Sequence, residues 1–223
     1  MKKNLKISID LVLIALLVGQ MPYVLVGEKI HEWLGALFFI LVCVHVQLNR
    51  GAQKAIYRRF WSTPLRFLNC LIITLAGVFF FALIFSAPFI SKYFFVFLPI
   101  SGGAALARWV HLLSAYWGFI FFCLHLGLNL ERGFGLARLA SASPGASKTL
   151  TVSALIVTLL FVPVGLKAFI TNDIPAYLFL RQQFPFFDFE LPLWKVLAQS
   201  LAMVVTFAAP TFWLRRLLRP KKS

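Results

Sequence analysis

The sequence predicts an all-α integral membrane protein with six transmembrane helices. Of its 223 residues 61% are hydrophobic and only 13% are charged, about half of the roughly 25% that is typical of soluble domains. Six apolar stretches are also long enough to cross the hydrocarbon core of a bilayer, which needs about 20 residues. They cover roughly 8–27, 30–49, 67–90, 106–130, 150–170 and 193–214.

The first apolar stretch follows Met1-Lys-Lys and resembles a signal peptide. No small-residue cleavage site follows it, so we interpret 8–27 as a retained span. Turn-forming segments separate most of the later spans; they are Asn49-Arg-Gly, Ser62-Thr-Pro, Pro99-Ile-Ser-Gly-Gly and Ser141-Ala-Ser-Pro-Gly. We expect 1–135 to form a four-helix bundle, and 136–223 to add two helices and a basic cytoplasmic tail.

The basic residues are distributed unevenly along the chain. A formal charge of +15 would suggest nucleic-acid binding in a soluble protein, but here the basic residues cluster between apolar spans, so we exclude nucleic acid as a partner. If the N-terminus is cytoplasmic, 16 of the 22 Lys and Arg residues face the cytoplasm; they lie in 1–7, 50–66, 131–148 and 215–223. Because cytoplasmic loops are enriched in Lys and Arg, both termini are predicted to be cytoplasmic.

All four histidines lie in predicted spans. His31 and His45 lie in the second span, His111 and His125 in the fourth, and each pair is 14 residues apart. Fourteen residues make about four helical turns less 40°, so both histidines of a span face nearly the same way, about 21 Å apart. The predicted topology makes the two helices parallel, which places His31 level with His111 and His45 level with His125.

Two imidazoles that face each other at one depth can bind the iron of a haem from both sides. The pattern therefore predicts two haems b, an outer one held by His31 and His111 and an inner one held by His45 and His125. With both axial positions filled, the iron has no open site for dioxygen or substrate, so such a protein transfers electrons. No residue is predicted to be catalytic.

Three further residues are candidate haem-binding residues. Gly35 lies one turn from His31 and Gly118 two turns from His111, where a missing side chain would let a porphyrin approach. Arg108 lies one turn outward from His111, well placed to bind a propionate of the outer haem. Ordinary helix packing is the alternative interpretation of the glycines, and an interfacial anchor that of the arginine.

The second and fourth spans also resemble each other. A shift of 80 residues aligns both histidines and gives seven identities in 19 positions, among them Cys43 with Cys123 and Asn49 with Asn129. The asparagines follow the inner histidines by one turn; we expect them to cap the ends of their helices, and the alternative is that they bond the propionates of the inner haem. The cysteines point away from the predicted haem and are expected to be small packing residues.

The histidine pattern is similar to the four-helix di-haem core of the cytochrome b superfamily. The segments His31-Glu-Trp-Leu-Gly and His111-Leu-Leu-Ser-Ala-Tyr-Trp-Gly, with Asn49 closing the first helix, resemble more specifically the flavinylation-associated cytochrome family. The resemblance covers about residues 8–130. It implies that 1–135 forms a cytochrome b-like bundle with two haems b.

This resemblance also implies partners and a location. In that family, electrons pass between the quinone pool or a cytoplasmic donor and flavin-bearing proteins outside a bacterial cytoplasmic (inner) membrane. Ser101-Gly-Gly-Ala is not the Ser/Thr-Gly-Ala-Thr type of flavin-attachment motif, so FMN is expected on a partner protein. The implied role is an electron-transfer subunit of a respiratory-chain oxidoreductase complex, surrounded by membrane lipid.

Two other functions remain open. The histidines could line a transporter for protons or metal ions. They could also be interhelical hydrogen-bond donors in a structural membrane anchor of a redox complex. Reduced-minus-oxidised absorption spectra of purified membranes distinguish these two functions from electron transfer, because only a haem protein gives sharp bands.

Overall fold

The computed structural model describes residues 2–136, 143–182 and 191–218, and these form only helices and the turns that connect them. The helices are α1 (Lys2–Gln20), α2 (Tyr23–Val26), α3 (Glu28–Arg58), α4 (Pro64–Ile90), α5 (Ala104–Gly133), α6 (Pro144–Thr171), α7 (Ile174–Leu178) and α8 (Leu193–Leu217), with a short 3-10 helix at Phe60–Ser62. The predicted all-α class is confirmed. The end of the predicted basic tail, 219–223, lies outside the described residues.

Five of the described helices, α3, α4, α5, α6 and α8, are long and apolar enough to cross a membrane. This is consistent with a multi-pass membrane protein. The predicted first span is not among them, because the 19 residues of α1 include three lysines and Asp10. Six spans therefore stay a prediction.

Local sequence explains where the helices begin. At the start of α4, Thr63 Oγ1 accepts the backbone N–H of the residue three positions on, at 3.2 Å. Ser143 Oγ does the same at the start of α6, at 3.1 Å. Each hydroxyl satisfies an N–H that has no partner inside the helix. Gly27 precedes α3 with φ 83°, a left-handed conformation that favours glycine.

The C-terminal ends of α1 and α3 differ from the prediction by seven and nine residues. The predicted first span runs to 27, but α1 ends at Gln20, because Pro22 lacks an N–H and restricts the residue before it. The predicted second span ends at 49, but α3 continues to Arg58. Residues 52–58 include two alanines, Gln53 and Lys54, all strong helix formers, so the helix outlasts its apolar part.

The helices pack in a continuous series. α4 lies along α5, α5 lies along α8, and α6 packs on α8, while α1 lies along α3. The largest buried cluster joins α5, α6, α7 and α8. Cys123 is completely buried in it, as expected of a packing residue, whereas Cys43 is exposed on α3.

Polar contacts hold α5, α6 and α8 together. Thr211 Oγ1 of α8 donates to the carbonyl of Leu124 in α5 at 2.8 Å. Near the end of α5, Glu131 is 1% exposed and its Oε1 lies 3.4 Å from Nη1 of Arg216 in α8. Arg216 also donates to Thr151 Oγ1 of α6 at 2.7 Å. The three helices are therefore linked at this end by a buried charge and its partners.

Candidate functional site

Two pairs of histidines face each other between α3 and α5. The ring centroids of His31 and His111 are 6.5 Å apart, with 66° between the ring planes. Those of His45 and His125 are 6.3 Å apart, with 83° between the planes. Because the same two helices form both pairs, α3 and α5 run in the same direction. The structure thus places the four histidines in the predicted pairs, and haem binding stays a prediction.

An aromatic layer separates the two pairs. Phe38 of α3 is 8% exposed and lies seven residues, about two turns, from each histidine of its helix. Its ring is edge-on to Phe80 of α4 at 6.3 Å and to Phe122 of α5 at 5.8 Å. α3 and α5 do not otherwise pack closely along their lengths. Sequence reasoning missed Phe38, although its position midway between the histidines was a usable signal.

The hydrogen bonds of Ser86 orient the ring of His111. Ser86, in α4, is 4% exposed; its Oγ donates to the carbonyl of Leu83 at 2.9 Å and lies 3.2 Å from Nδ1 of His111. A hydroxyl has only one hydrogen, so Ser86 accepts the N–H of Nδ1. The tautomer that this assigns leaves the lone pair on Nε2.

His31 has a different environment. Its Nδ1 is buried and forms no hydrogen bond within the described parts of the chain. The ring of Tyr23 stands edge-on to the imidazole, with 4.9 Å between centroids. Gln20 Nε2, at the end of α1, donates to the backbone carbonyl of His31 at 3.4 Å. Within the described residues, the ring of His31 thus has an aromatic neighbour in Tyr23 and no hydrogen bond to a charged group.

His45 is paired with a carboxylate. Asp10 Oδ1, in α1, lies 2.7 Å from Nδ1 of His45, and the two side chains are only 18% and 24% exposed respectively. An ionised carboxylate only accepts hydrogen bonds, so Nδ1 carries the hydrogen and Nε2 the lone pair. Sequence reasoning missed Asp10. The signal was an acidic residue inside an apolar stretch, which usually has a specific partner.

The two asparagines do not cap helix ends, contrary to the prediction. α3 and α5 continue beyond Asn49 and Asn129 to Arg58 and Gly133. Each side-chain amide instead donates, at 3.0 Å, to the backbone carbonyl of the histidine one turn earlier. Asn49 Oδ1 also accepts from Lys6 Nζ at 3.1 Å. The repeated asparagines therefore brace the helix backbone beside His45 and His125.

The three accessory candidates lie in different surroundings. A Cβ at Gly35 would lie 3.3 Å from Nε2 of Gln20, so the notch at this glycine faces α1. A Cβ at Gly118 would lie 3.5 Å from Cβ of Phe79 in α4, which is ordinary packing distance. Arg108 is exposed on α5, one turn before His111. Both glycines thus have helix neighbours, and their role toward a haem stays a prediction.

The Nε2 atoms of the four imidazoles are the candidate ligand atoms of this site. Within the described residues no hydrogen bond involves Nε2 of any of them. In the same part of the chain no group of three or more His, Cys, Asp or Glu side chains could hold a metal ion. The histidines themselves face each other in two pairs, with ring centroids 6.5 and 6.3 Å apart.

Comparisons with known proteins found nothing similar: no protein-family model, no curated protein and no solved structure matches this chain.

Proposed function

We propose that this chain is a b-type di-haem membrane cytochrome that transfers electrons across the membrane. The observation that carries the proposal is the nearly equal separation of the two histidine pairs, 6.5 and 6.3 Å between ring centroids. An imidazole nitrogen binds a first-row metal at about 2.0 Å and lies about 1.1 Å from its ring centre, so rings on opposite sides of one ion are roughly 6 Å apart. Both separations suit an iron between the rings.

The residues present fit two haems b. His31 and His111 would hold one, and His45 and His125 the other. Bound haem supplies one-electron oxidation and reduction at its iron. Ser86 and Asp10 keep the hydrogen of His111 and of His45 on Nδ1, which leaves each Nε2 lone pair for the metal.

Residues between and beside the pairs have supporting roles in this proposal. The layer around Phe38 fills the space between the pairs with apolar rings and excludes water from it. Gly35 and Gly118 would contribute to the haem sites by letting Gln20 of α1 and Phe79 of α4 pack closely against the histidine-bearing helices. Arg108, exposed one turn before His111, would bind a propionate through its guanidinium.

In this proposal the protein crosses the membrane six times, and α1 is the first span. Asp10 of α1 reaches His45, and Gln20 reaches His31, so α1 runs antiparallel to α3 and covers the depth between the two pairs. The uneven distribution of Lys and Arg supports cytoplasmic termini. We therefore propose that the protein lies in the bacterial inner membrane, with the His45–His125 pair on the cytoplasmic side.

The proposed partners follow from the resemblance of the histidine segments to flavinylation-associated cytochromes. Electrons would pass between the quinone pool or a cytoplasmic donor and an extracytoplasmic FMN-bearing or other redox protein. The chain would be the electron-transfer subunit of an oxidoreductase complex. A flavin-attachment motif is not found at Ser101-Gly-Gly-Ala, which supports placing the flavin on the partner.

The haem content of the purified full-length protein tests this function. We expect a pyridine haemochrome assay to give about two haems b per chain, because two histidine pairs of similar geometry are present. Reduced-minus-oxidised spectra should show the sharp bands of low-spin haem. Folded, monodisperse protein that is expressed with ample haem and still contains none would overturn the proposal, and would favour the transporter or the structural anchor.

A further inference from the structure

The two histidine pairs have similar geometry but differ in the charge of their hydrogen-bond partners. We propose that Asp10 is a positioning residue for His45, and that it gives the haem held by His45 and His125 the lower reduction potential of the two. This inference rests on the proposed function and deepens it.

The contact between Asp10 and His45 is direct and shielded. Oδ1 of Asp10 is 2.7 Å from Nδ1 of His45, and less than a quarter of either side chain is exposed. A histidine that donates its Nδ1–H to a carboxylate becomes a more basic ligand through Nε2. The negative charge also favours the oxidised, more positive form of a metal bound there, and partial burial limits its screening by water.

Among the described residues, no carboxylate is hydrogen-bonded to His31 or His111. His111 is bonded to the neutral hydroxyl of Ser86. Glu32, which follows His31 in the sequence, accepts hydrogen bonds from Ser91 Oγ at 2.6 Å and from the backbone N–H groups of residues 92, 93 and 94. Four donors compensate the charge of Glu32, so it stabilises the turn after α4 and does not bond to an imidazole.

Lys6 is the nearest positive charge to Asp10 along α1, and it does not form an ion pair that would neutralise the carboxylate beside His45. Lys6 lies one turn before Asp10, but its Nζ donates to Asn49 Oδ1 at 3.1 Å and not to the carboxylate or to His45. Two described groups lie within hydrogen-bond distance of Nδ1 of His45, and of these the Asp10 carboxylate at 2.7 Å is charged, whereas the Asn49 amide at 3.5 Å is neutral. With the proposed orientation, electrons that enter from the cytoplasmic side would therefore flow to the higher-potential haem near His31.

Optical redox titration of the purified full-length protein tests the inference. Asp10→Asn removes the charge but keeps an amide oxygen that accepts from Nδ1. We expect it to shift the reduction equilibrium of one component about tenfold toward the reduced form, which is about 59 mV for a one-electron couple. Asp10→Glu, which keeps the negative charge, should leave the potential of that component close to the wild-type value. Lys6→Met, a matched change of charge on the same helix, should move either component less than Asp10→Asn does.

The components are assigned with histidine variants, which also give a test independent of Asp10. The component left in His111→Ala, held by His45 and His125, should titrate at the lower potential than the component left in His125→Ala. The reverse order would overturn the inference, as would an Asp10→Asn shift confined to the other component. In either case haem is still bound and the proposed function stands, whereas wild-type protein without haem refutes the proposed function itself.

Discussion

His125→Ala should lower the haem content of the purified protein from about two per chain to about one. His125 faces His45 at 6.3 Å between ring centroids, and its neighbours leave its Nε2 edge without a hydrogen bond in the described chain. A haem that loses one of two axial ligands is held by a single coordinate bond, so we expect it to dissociate during purification. The pyridine haemochrome assay and the reduced absorption spectrum measure the loss.

The matched variants make this experiment specific. His111→Ala should remove the other component, and the double variant His111→Ala/His125→Ala should contain almost no haem. Gln47→Ala is the control, because Gln47 is exposed on α3 about 200° around the helix from His45. Equal haem in all four variants and in the wild type would show that the histidines are packing donors.

The pairing of the histidines could be predicted because it depends on two local properties. A spacing of 14 residues fixes the faces of His31 and His45 within one helix, whatever surrounds that helix. The direction of each helix follows from the order of apolar stretches and basic loops. Neither property requires knowledge of side-chain contacts, and the structure places all four histidines accordingly.

Asp10 could not be assigned in the same way. Its contact with His45 depends on the rotation of α1 about its axis and on its height beside α3, and no spacing within one helix determines either quantity. The same holds for Gly35, whose open side faces Gln20 of α1. Contacts between helices are set by the packing of many side chains together, which a single sequence does not display.

The lengths of the helices could not be predicted from the pattern of hydrophobicity either. Apolar stretches report the thickness of the hydrocarbon core, whereas a helix ends where capping or proline stops it. α3 therefore continues through Arg50 and Lys54 to Arg58, past the end of its apolar part. The opposite error occurred in the first span, where apolar residues continue beyond Pro22 but the helix does not.

Gly127→Ala should destabilise the protein strongly. A Cβ at Gly127 of α5 would lie 2.0 Å from the carbonyl oxygen of Ala208 and 2.3 Å from Oγ1 of Thr211, both in α8. One of the atoms that the new methyl group would meet belongs to the backbone of α8 and cannot rotate away, so α5 and α8 must separate. This separation would weaken the hydrogen bond from Thr211 to the carbonyl of Leu124. We expect a loss of about 2–3 kcal/mol, as for other overpacked interiors, measured by thermal unfolding of the purified protein in detergent.

The contact between α6 and α8 also depends on a glycine, so its substitution should destabilise the protein as well. Two other glycines provide the matched control. A Cβ at Gly165 of α6 would lie 2.1 Å from Thr206 Oγ1 and 2.5 Å from the carbonyl oxygen of Ala202, so Gly165→Ala should also be costly. Gly51 and Gly77 lie inside α3 and α4 with nothing within 4 Å of an added Cβ. Alanine there should be neutral or stabilising by up to about 1 kcal/mol, since it favours helix without a clash. If all four substitutions had the same effect, close approach of α5 and α6 to α8 would not be what these glycines provide.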